Sequence, residues 1–316
     1  MDAVLMERIN RSKSLPTIPA VALEVLRMCR SPNTNVRDIA DVICRDPAMS
    51  SRILKLSNSS LFGAPTKATT VAQALVRMGL RNARILALSF SVVNLKPSGE
   101  GRSTFDLAAF WRSSLITAVV AKTIEDWTRR RAVGEAFTAG LLQDIGILTL
   151  HNVLQDEYAT VRQETRQSGR ELDEVERQFL DADHAEVAGY MLGMWSIPDC
   201  IVIPVSAHHR PELLEDDGSE DTRMARVLHA ADAFMRIFCE GVNAPNAQRC
   251  CHLCAQYLSW SPQKVMKLIR EVAPAVQEAA QMLSLEIPTD VLANAAKAEL
   301  TGMVDQASSH VAGPAR

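Results

Sequence analysis

The sequence predicts an all-α protein, and three observations carry the prediction. Aromatic residues make up only 5% of the 316-residue chain while Ala, Leu, Val and Met are abundant, a composition that suits helices better than strands. Every apolar segment long enough to judge repeats at helical spacing and stops at Gly, Pro or Asn. No stretch reads convincingly as a strand, and no internal repeat or low-complexity region interrupts the pattern.

Residues 1–13 read as a short leading helix, and Leu15-Pro16-Thr17-Ile18-Pro19 as a rigid extended entry. Pro19 suits a helix first turn, with Val21, Leu23, Val25, Leu26 and Met28 as its apolar face. After Ser31-Pro32-Asn33, Thr34 or Asn35 caps a helix over Val36 to Cys44, and Asp46-Pro47 ends it and starts another through Met49, Ile53, Leu54 and Leu56. Asn58-Ser59-Ser60 and Gly63-Ala64-Pro65 form a loop; Thr69 or Thr70 caps a helix to Met78, which Gly79 stops; Arg81 to Val93 is helical again. The Lys96 to Ser103 loop leads into a long helix from Phe105 to Arg131. Gly134 to Leu150, Val153 to Gln167, Leu172 to Leu180, His184 to Trp195 and Pro198 to His209 follow as helical segments. Residues 214–222 continue an acidic stretch begun at Glu212 and read as a linker. Helices over Arg223 to Glu240, Pro245 to Leu258, Pro262 to Gln281 and Thr289 to Asp305 make a C-terminal extension over 223–305, before a disordered tail at 306–316.

Composition narrows the function. At 47% hydrophobic residues the chain can bury a sizeable core, and a net charge of -3 gives no sign of a phosphate-binding surface for bulk nucleic acid. No secretory signal is visible, and no stretch reads as approaching the ~20 apolar residues a membrane span needs. Seven scattered cysteines suit a reducing compartment, so the expectation is a cytoplasmic protein with no membrane partner.

Several local features have a bland and a sharp reading. The hairpin over 36–57 could be a helix-turn-helix reading DNA with Arg52, Lys55 and Asn58, but such hairpins more often only build bundles, so DNA is not the expected partner. Arg129-Arg130-Arg131 most simply places cations at a helix C-terminus, and only secondarily a phosphate site. In Cys250-Cys251-His252-x-Cys254, Cys250 and Cys254 share a helical face while Cys251 and His252 point elsewhere, which argues for buried thiols rather than zinc. His151 and His229 read as ordinary surface or core residues.

The stretch Leu141-Leu142-Gln143-Asp144-Ile145-Gly146 organises the rest. It resembles the Leu-Leu-His-Asp-Ile-Gly of HD-superfamily metal phosphohydrolases, with Gln in place of His. Other fragments follow in order: Asp46-Pro47-Ala48-Met49 through Asn58-Ser59, Ala74 to Leu80, Trp111-Arg112-Ser113-Ser114, His184-Ala185-Glu186, Trp195-Ser196-Ile197-Pro198 and His208-His209-Arg210-Pro211. Together with the Leu15 to Pro19 opening, they make residues 14–213 similar to an HDOD domain, the output-domain branch of that superfamily. The resemblance says little about residues 223–316.

The resemblance implies a helical bundle with metal-ligand positions at Ser113, Gln143, Asp144, His184, His208, His209 and Asp232. Ser113 and Gln143 replace expected imidazoles, and a neutral hydroxyl or amide is a poor ligand for a transition metal. The expectation is therefore a vestigial site at Asp144, His184, His208, His209 and Asp232, with no catalytic residues and no cofactor beyond a weakly held divalent ion. The function read from this is a non-enzymatic bacterial signal-transduction protein whose HDOD domain is an interaction platform for a signalling partner. The alternatives are a divergent phosphohydrolase acting on a nucleotide or cyclic dinucleotide, and a DNA-binding regulator. An apolar stripe of Val227, Leu228, Ala231, Phe234, Met235 and Phe238 must pack somewhere, either permanently in one core or reversibly as a gate.

Overall fold

In the computed structural model every regular element among the described residues is helical. The structure describes residues 3–12, 35–59, 66–79, 105–128, 135–241, 243–283 and 285–288, with single positions between 15 and 28. The helix expected over Arg81 to Val93, the loop from Lys96 to Ser103, Arg129 to Arg131, the helix from Thr289 and the tail lie outside the described residues, as does most of the Leu15 to Pro19 opening.

The N-terminal helices begin where polar caps put them. Helix α1 (Ala3–Arg11) is followed by α2 (Val36–Cys44), α3 (Pro47–Ser57) and α4 (Val71–Met78). Of the paired candidates, Asn35 and Thr70 do the capping, Asn35 accepting from the Arg37 amide at 2.8 Å and Thr70 from the Gln73 amide at 3.2 Å. Asp46 accepts from the Ala48 and Met49 amides at 2.9 and 3.0 Å, with Pro47 at the first helical position.

The centre is α5 (Leu107–Thr128), buried along most of its length and packed by α6 (Glu135–Leu142), α12 (Glu220–Glu240) and α14 (Pro262–Leu283). It also corrects the reading that no stretch approaches a membrane span. By length and composition α5 could cross one, with a mean hydropathy of 1.3 over its most apolar window. Two-thirds of that window, 67%, is buried inside the bundle, so the apolarity serves a central helix packed on several sides.

Between α6 and α12 run α7 (Ile145–Leu154), α8 (Asp156–Ser168), α9 (Leu172–Leu180), α10 (His184–Met194) and α11 (Asp199–Ser206), then a 3-10 turn at Pro211–Leu213. The stretch from Gly134 to Leu150 holds two helices, because the chain turns at Gln143 and Asp144. Gly169 ends α8 in a left-handed conformation at φ 66°, which glycine adopts without strain. Leu150, Leu154, Tyr158, Val161, Val175 and Met191 form a smaller core, on which α1 lays Leu5 and Ile9.

The acidic stretch before α12 is hydrogen-bonded at several points. Thr222 donates to the Glu215 carbonyl at 2.8 Å, Asp217 accepts from the Ser219 amide at 2.8 Å, and Ser219 caps α12. From the extension, Val227, Leu228, Ala231, Phe234 and Phe238 join the same hydrophobic cluster as α5 and α6. Arg223 grips the buried Glu125 of α5 through two hydrogen bonds at 2.7 and 3.0 Å. Helix α13 (Ala244–Leu258) packs on α12 and buries Cys250 and Cys254, while Cys251 is half-buried and His252 exposed.

Candidate functional site

Close helix crossings at glycines bring the site together. Asp144 sits in the turn that starts α7, and Gly146 lies one helical step further on. A Cβ at Gly146 would meet the His184 carbonyl carbon at 2.8 Å and the Ala188 amide nitrogen at 2.9 Å, so only glycine lets α7 approach the start of α10 this closely. Where α10 meets α11, a Cβ at Gly189 would come within 2.6 Å of the Ser206 Cβ. That contact sets the end of α11, and His208 and His209 follow in the next turn.

Four of the sequence-predicted ligands meet there. The candidate donor atoms of His184, His208 and His209 lie within 4.8 Å of one another. Asp144 Oδ1 stands 3.5 Å from His184 Nε2 and 3.6 Å from His208 Nε2. His184, His208 and Asp144 are buried, and His209 is partly so.

The hydrogen-bond pattern sets how the rings present themselves. His208 Nδ1 faces the Val205 carbonyl oxygen at 2.8 Å, so that nitrogen carries the hydrogen and Nε2 offers a lone pair. Nε2 of His208 is buried and has no hydrogen-bond partner. His184 Nδ1 lies 2.6 Å from the Glu176 carboxylate, which also accepts the His184 amide at 2.8 Å, leaving its Nε2 to face the cluster. That Nε2 is 2.8 Å from Nε2 of His209, so one hydrogen must lie between them. Burial favours a neutral His184 ring, but the Glu176 and Asp144 carboxylates outweigh it and hold its pKa well above the ordinary histidine value. Burial, then the neighbouring rings of His208 and His184, hold His209 well below that value. The shared hydrogen therefore belongs to His184, and a cation would take its place.

Asp232 and the two substituted positions stand differently. Asp232 is buried on α12 and accepts from Arg236 Nε at 3.3 Å. Burial opposes its ionised form, yet Arg236 and His208 outweigh burial and keep its pKa below the ordinary value. Ser113 donates its hydroxyl to the Phe110 carbonyl of its own helix at 2.8 Å. Gln143 is wholly buried, and neither its amide nitrogen nor its amide oxygen has a hydrogen-bond partner.

With this geometry in view, a family model for the HDOD domain matches residues 15–211, well over half of the chain. The chain belongs to the HDOD domain family. The HDOD assignment accounts for the all-helical fold and for the order of the motifs. A curated relative, an uncharacterized protein of Treponema pallidum (strain Nichols), is 23% identical over 204 residues; the match takes in 63% of this chain but only 38% of the relative. Among solved structures, a Shewanella amazonensis SB2B protein provisionally named a phosphohydrolase shares 22% identity at a TM-score of 0.68, covering 90% of this chain and 98% of its own. An HDOD domain protein of unknown function from Geobacter sulfurreducens shares 20% identity at 0.66, covering 90% and 97%. A Marinobacter aquaeolei VT8 protein described as acting in signal transduction shares 20% at 0.62, covering 89% and 64%. At these identities the likeness is one of fold.

Within the HDOD frame the structure adds residues that sequence reasoning missed. Glu176, wholly buried on α9, accepts from the Tyr158 hydroxyl as well as from His184. His229, read as ordinary, is buried and places Nδ1 2.7 Å from the His208 carbonyl oxygen. Glu171 bridges Arg236 at 2.5 Å and Arg249 at 2.7 Å, tying α9 to α12 and α13 beside Asp232. The visible sign for Glu176 was a carboxylate on the inward side of an amphipathic helix just before His184.

Proposed function

We propose that this HDOD protein is regulatory and acts by binding a signalling partner rather than by hydrolysis. The observation that carries the reading is Gln143, buried beside Asp144 with both amide atoms unpartnered. The phosphohydrolases that the sequence resembles have an imidazole at that place, and an amide neither donates as strong a lone pair nor titrates. Ser113 adds to this, since its hydroxyl is committed to Phe110.

The donors that remain suit a single divalent cation held by Asp144, His184, His208 and His209. The orphaned Nε2 of His208 fits such an ion. When bound, the ion would supply positive charge and Lewis acidity at one point, without the paired-metal clamp that grips both oxygens of a displacement. Its ligands come from the α7 turn, the start of α10 and the turn after α11, so it would fasten these elements together. The names of the structural neighbours divide between phosphohydrolase and signal transduction, and the residues favour the second.

The test is full-length protein prepared without chelators, supplied with Mn2+, Fe2+ or Mg2+ and bis(p-nitrophenyl) phosphate. The expected result is no turnover above the protein-free blank and at most a single ion per chain by metal analysis. Metal-dependent turnover that disappears in Asp144→Asn would overturn the proposal in favour of a divergent phosphohydrolase.

A further inference from the structure

The helices α2 and α4 and the loop at 66–70 enclose an open cavity of about 700 Å3. None of its lining residues belongs to the His and Asp cluster. Its construction begins at Asn58, the residue of the Asn58-Ser59 motif that the site chemistry leaves unused. The Asn58 side chain accepts from the Ala68 amide at 2.7 Å and donates to the Ala68 carbonyl at 2.9 Å, pinning the loop to the end of α3. Arg77 of α4 then donates to Asn58 at 3.1 Å and to Thr66 at 3.2 Å. Its guanidinium is thus fixed in the wall by neutral partners, which hold it in place without cancelling its charge.

Arg37 and Lys67 line the same cavity, and among the described residues that line it none is a carboxylate. Neither side chain has an acidic partner among the described residues. In a chain of net charge -3, three cations around one hollow with no acid among them mark a site for an anion. The start of α2 is already satisfied, because Asn35 accepts the Arg37 amide and Asp38 accepts the Asn35 amide, so the side chains must do the holding. The lining also holds apolar side chains, Val36, Ala72 and Val76, and Val76 is 69% exposed.

We infer that this cavity binds a phosphate-bearing nucleotide, with the phosphates against Arg37, Lys67 and Arg77 and the base on the Val76 surface. The volume admits a ligand of that size, and pairing cations with an apolar wall suits a molecule that is anionic at one end and flat at the other. The inference stands apart from the proposed function, because it uses none of the cluster residues.

Isothermal titration of the full-length protein with ADP, inorganic pyrophosphate, adenosine and a short DNA duplex tests it. ADP and pyrophosphate should bind and adenosine should not, with affinity falling as salt is raised. The double variant Arg37→Ala/Lys67→Ala should weaken ADP binding by roughly ten-fold or more, the loss expected for charge-assisted contacts, at an unchanged melting temperature. Val76→Ser, which removes apolar surface without adding charge, should weaken ADP more than pyrophosphate. Lys267→Ala, an exposed cation on α14 that does not line the cavity, should leave ADP binding as it was. Absence of ADP and pyrophosphate binding at millimolar concentration, binding indifferent to the double variant, or Arg37- and Lys67-dependent binding of the duplex without ADP would each overturn the inference.

Discussion

The position that a Cβ on Gly146 would take lies 2.0 Å from the carbonyl oxygen of His184. No side chain larger than hydrogen fits there, so Gly146→Ala must push α7 and α10 apart. Overpacking of this kind costs about 1–3 kcal/mol or more. The expected outcome is a lower urea midpoint together with weaker uptake of divalent cation, because the shift separates Asp144 from His184. Unchanged stability and unchanged cation binding would contradict the crossing.

Glu176 is the support on which His184 rests. Removing its carboxylate in Glu176→Ala leaves the Tyr158 hydroxyl and two His184 donors without an acceptor in a buried place. Each unsatisfied group costs about 1–3 kcal/mol, so the variant should unfold easily or fail to accumulate. Tyr158→Phe removes only one donor to that carboxylate, and should lose about 1 kcal/mol in chemical denaturation while keeping cation affinity.

Much of this architecture was legible before any coordinates. Leu172 to Leu180 appears with its ends as read, because Gly169 and the left-handed Asp181 punctuate it. Asp144, His184, His208 and His209 could be placed because the chain resembles the HD-superfamily motifs at those positions. The break at Gln143 was hidden, since apolar residues continue on both sides of it. Glu176 and His229 were hidden for another reason: their roles depend on which helix crosses over them, and helical periodicity does not record crossings. Asp232 was named from the resemblance, and its hydrogen-bond partner Arg236 lies one turn along its own helix.

The double substitution Ser113→His/Gln143→His tests whether the replaced positions face the same cluster. Two added imidazoles should tighten divalent binding by at least roughly ten-fold, read by metal analysis and by competition with a chelating dye. No gain would show that residues 113 and 143 do not share the cluster.

Cutting the chain after Leu213 should not release an independent domain. Val227, Leu228, Ala231, Phe234 and Phe238 leave the α5 surface when α12 is removed, forfeiting on the order of 10 kcal/mol of apolar burial. Glu125 also loses Arg223. A 1–213 fragment should be insoluble or molten, with dye-binding apolar surface and no sharp thermal transition. A soluble fragment with a cooperative melt would instead restore the idea of a docked, removable extension.

Cys250 and Cys251 of α13 should be slow nucleophiles. Burial and the neighbouring Cys254 push Cys251 up to about 11, and burial also holds Cys250 well above the ordinary thiol value. Only the thiolate reacts, so alkylation of Cys251 in native protein should rise about ten-fold per pH unit between pH 7 and 10. Fast, pH-independent labelling at neutral pH would contradict this environment.

The apolarity of α5 has a consequence in time. Its covering helix α12 ends at Glu240, more than a hundred residues after α5 ends at Thr128. At synthesis rates of about 5–20 residues per second the ribosome takes on the order of ten seconds to make that interval. Throughout it, α6 can already pack on α5, but the face that α12 will cover waits for that helix. Slowing translation between these two helices should therefore send more of the protein into aggregates than slowing it anywhere after α12.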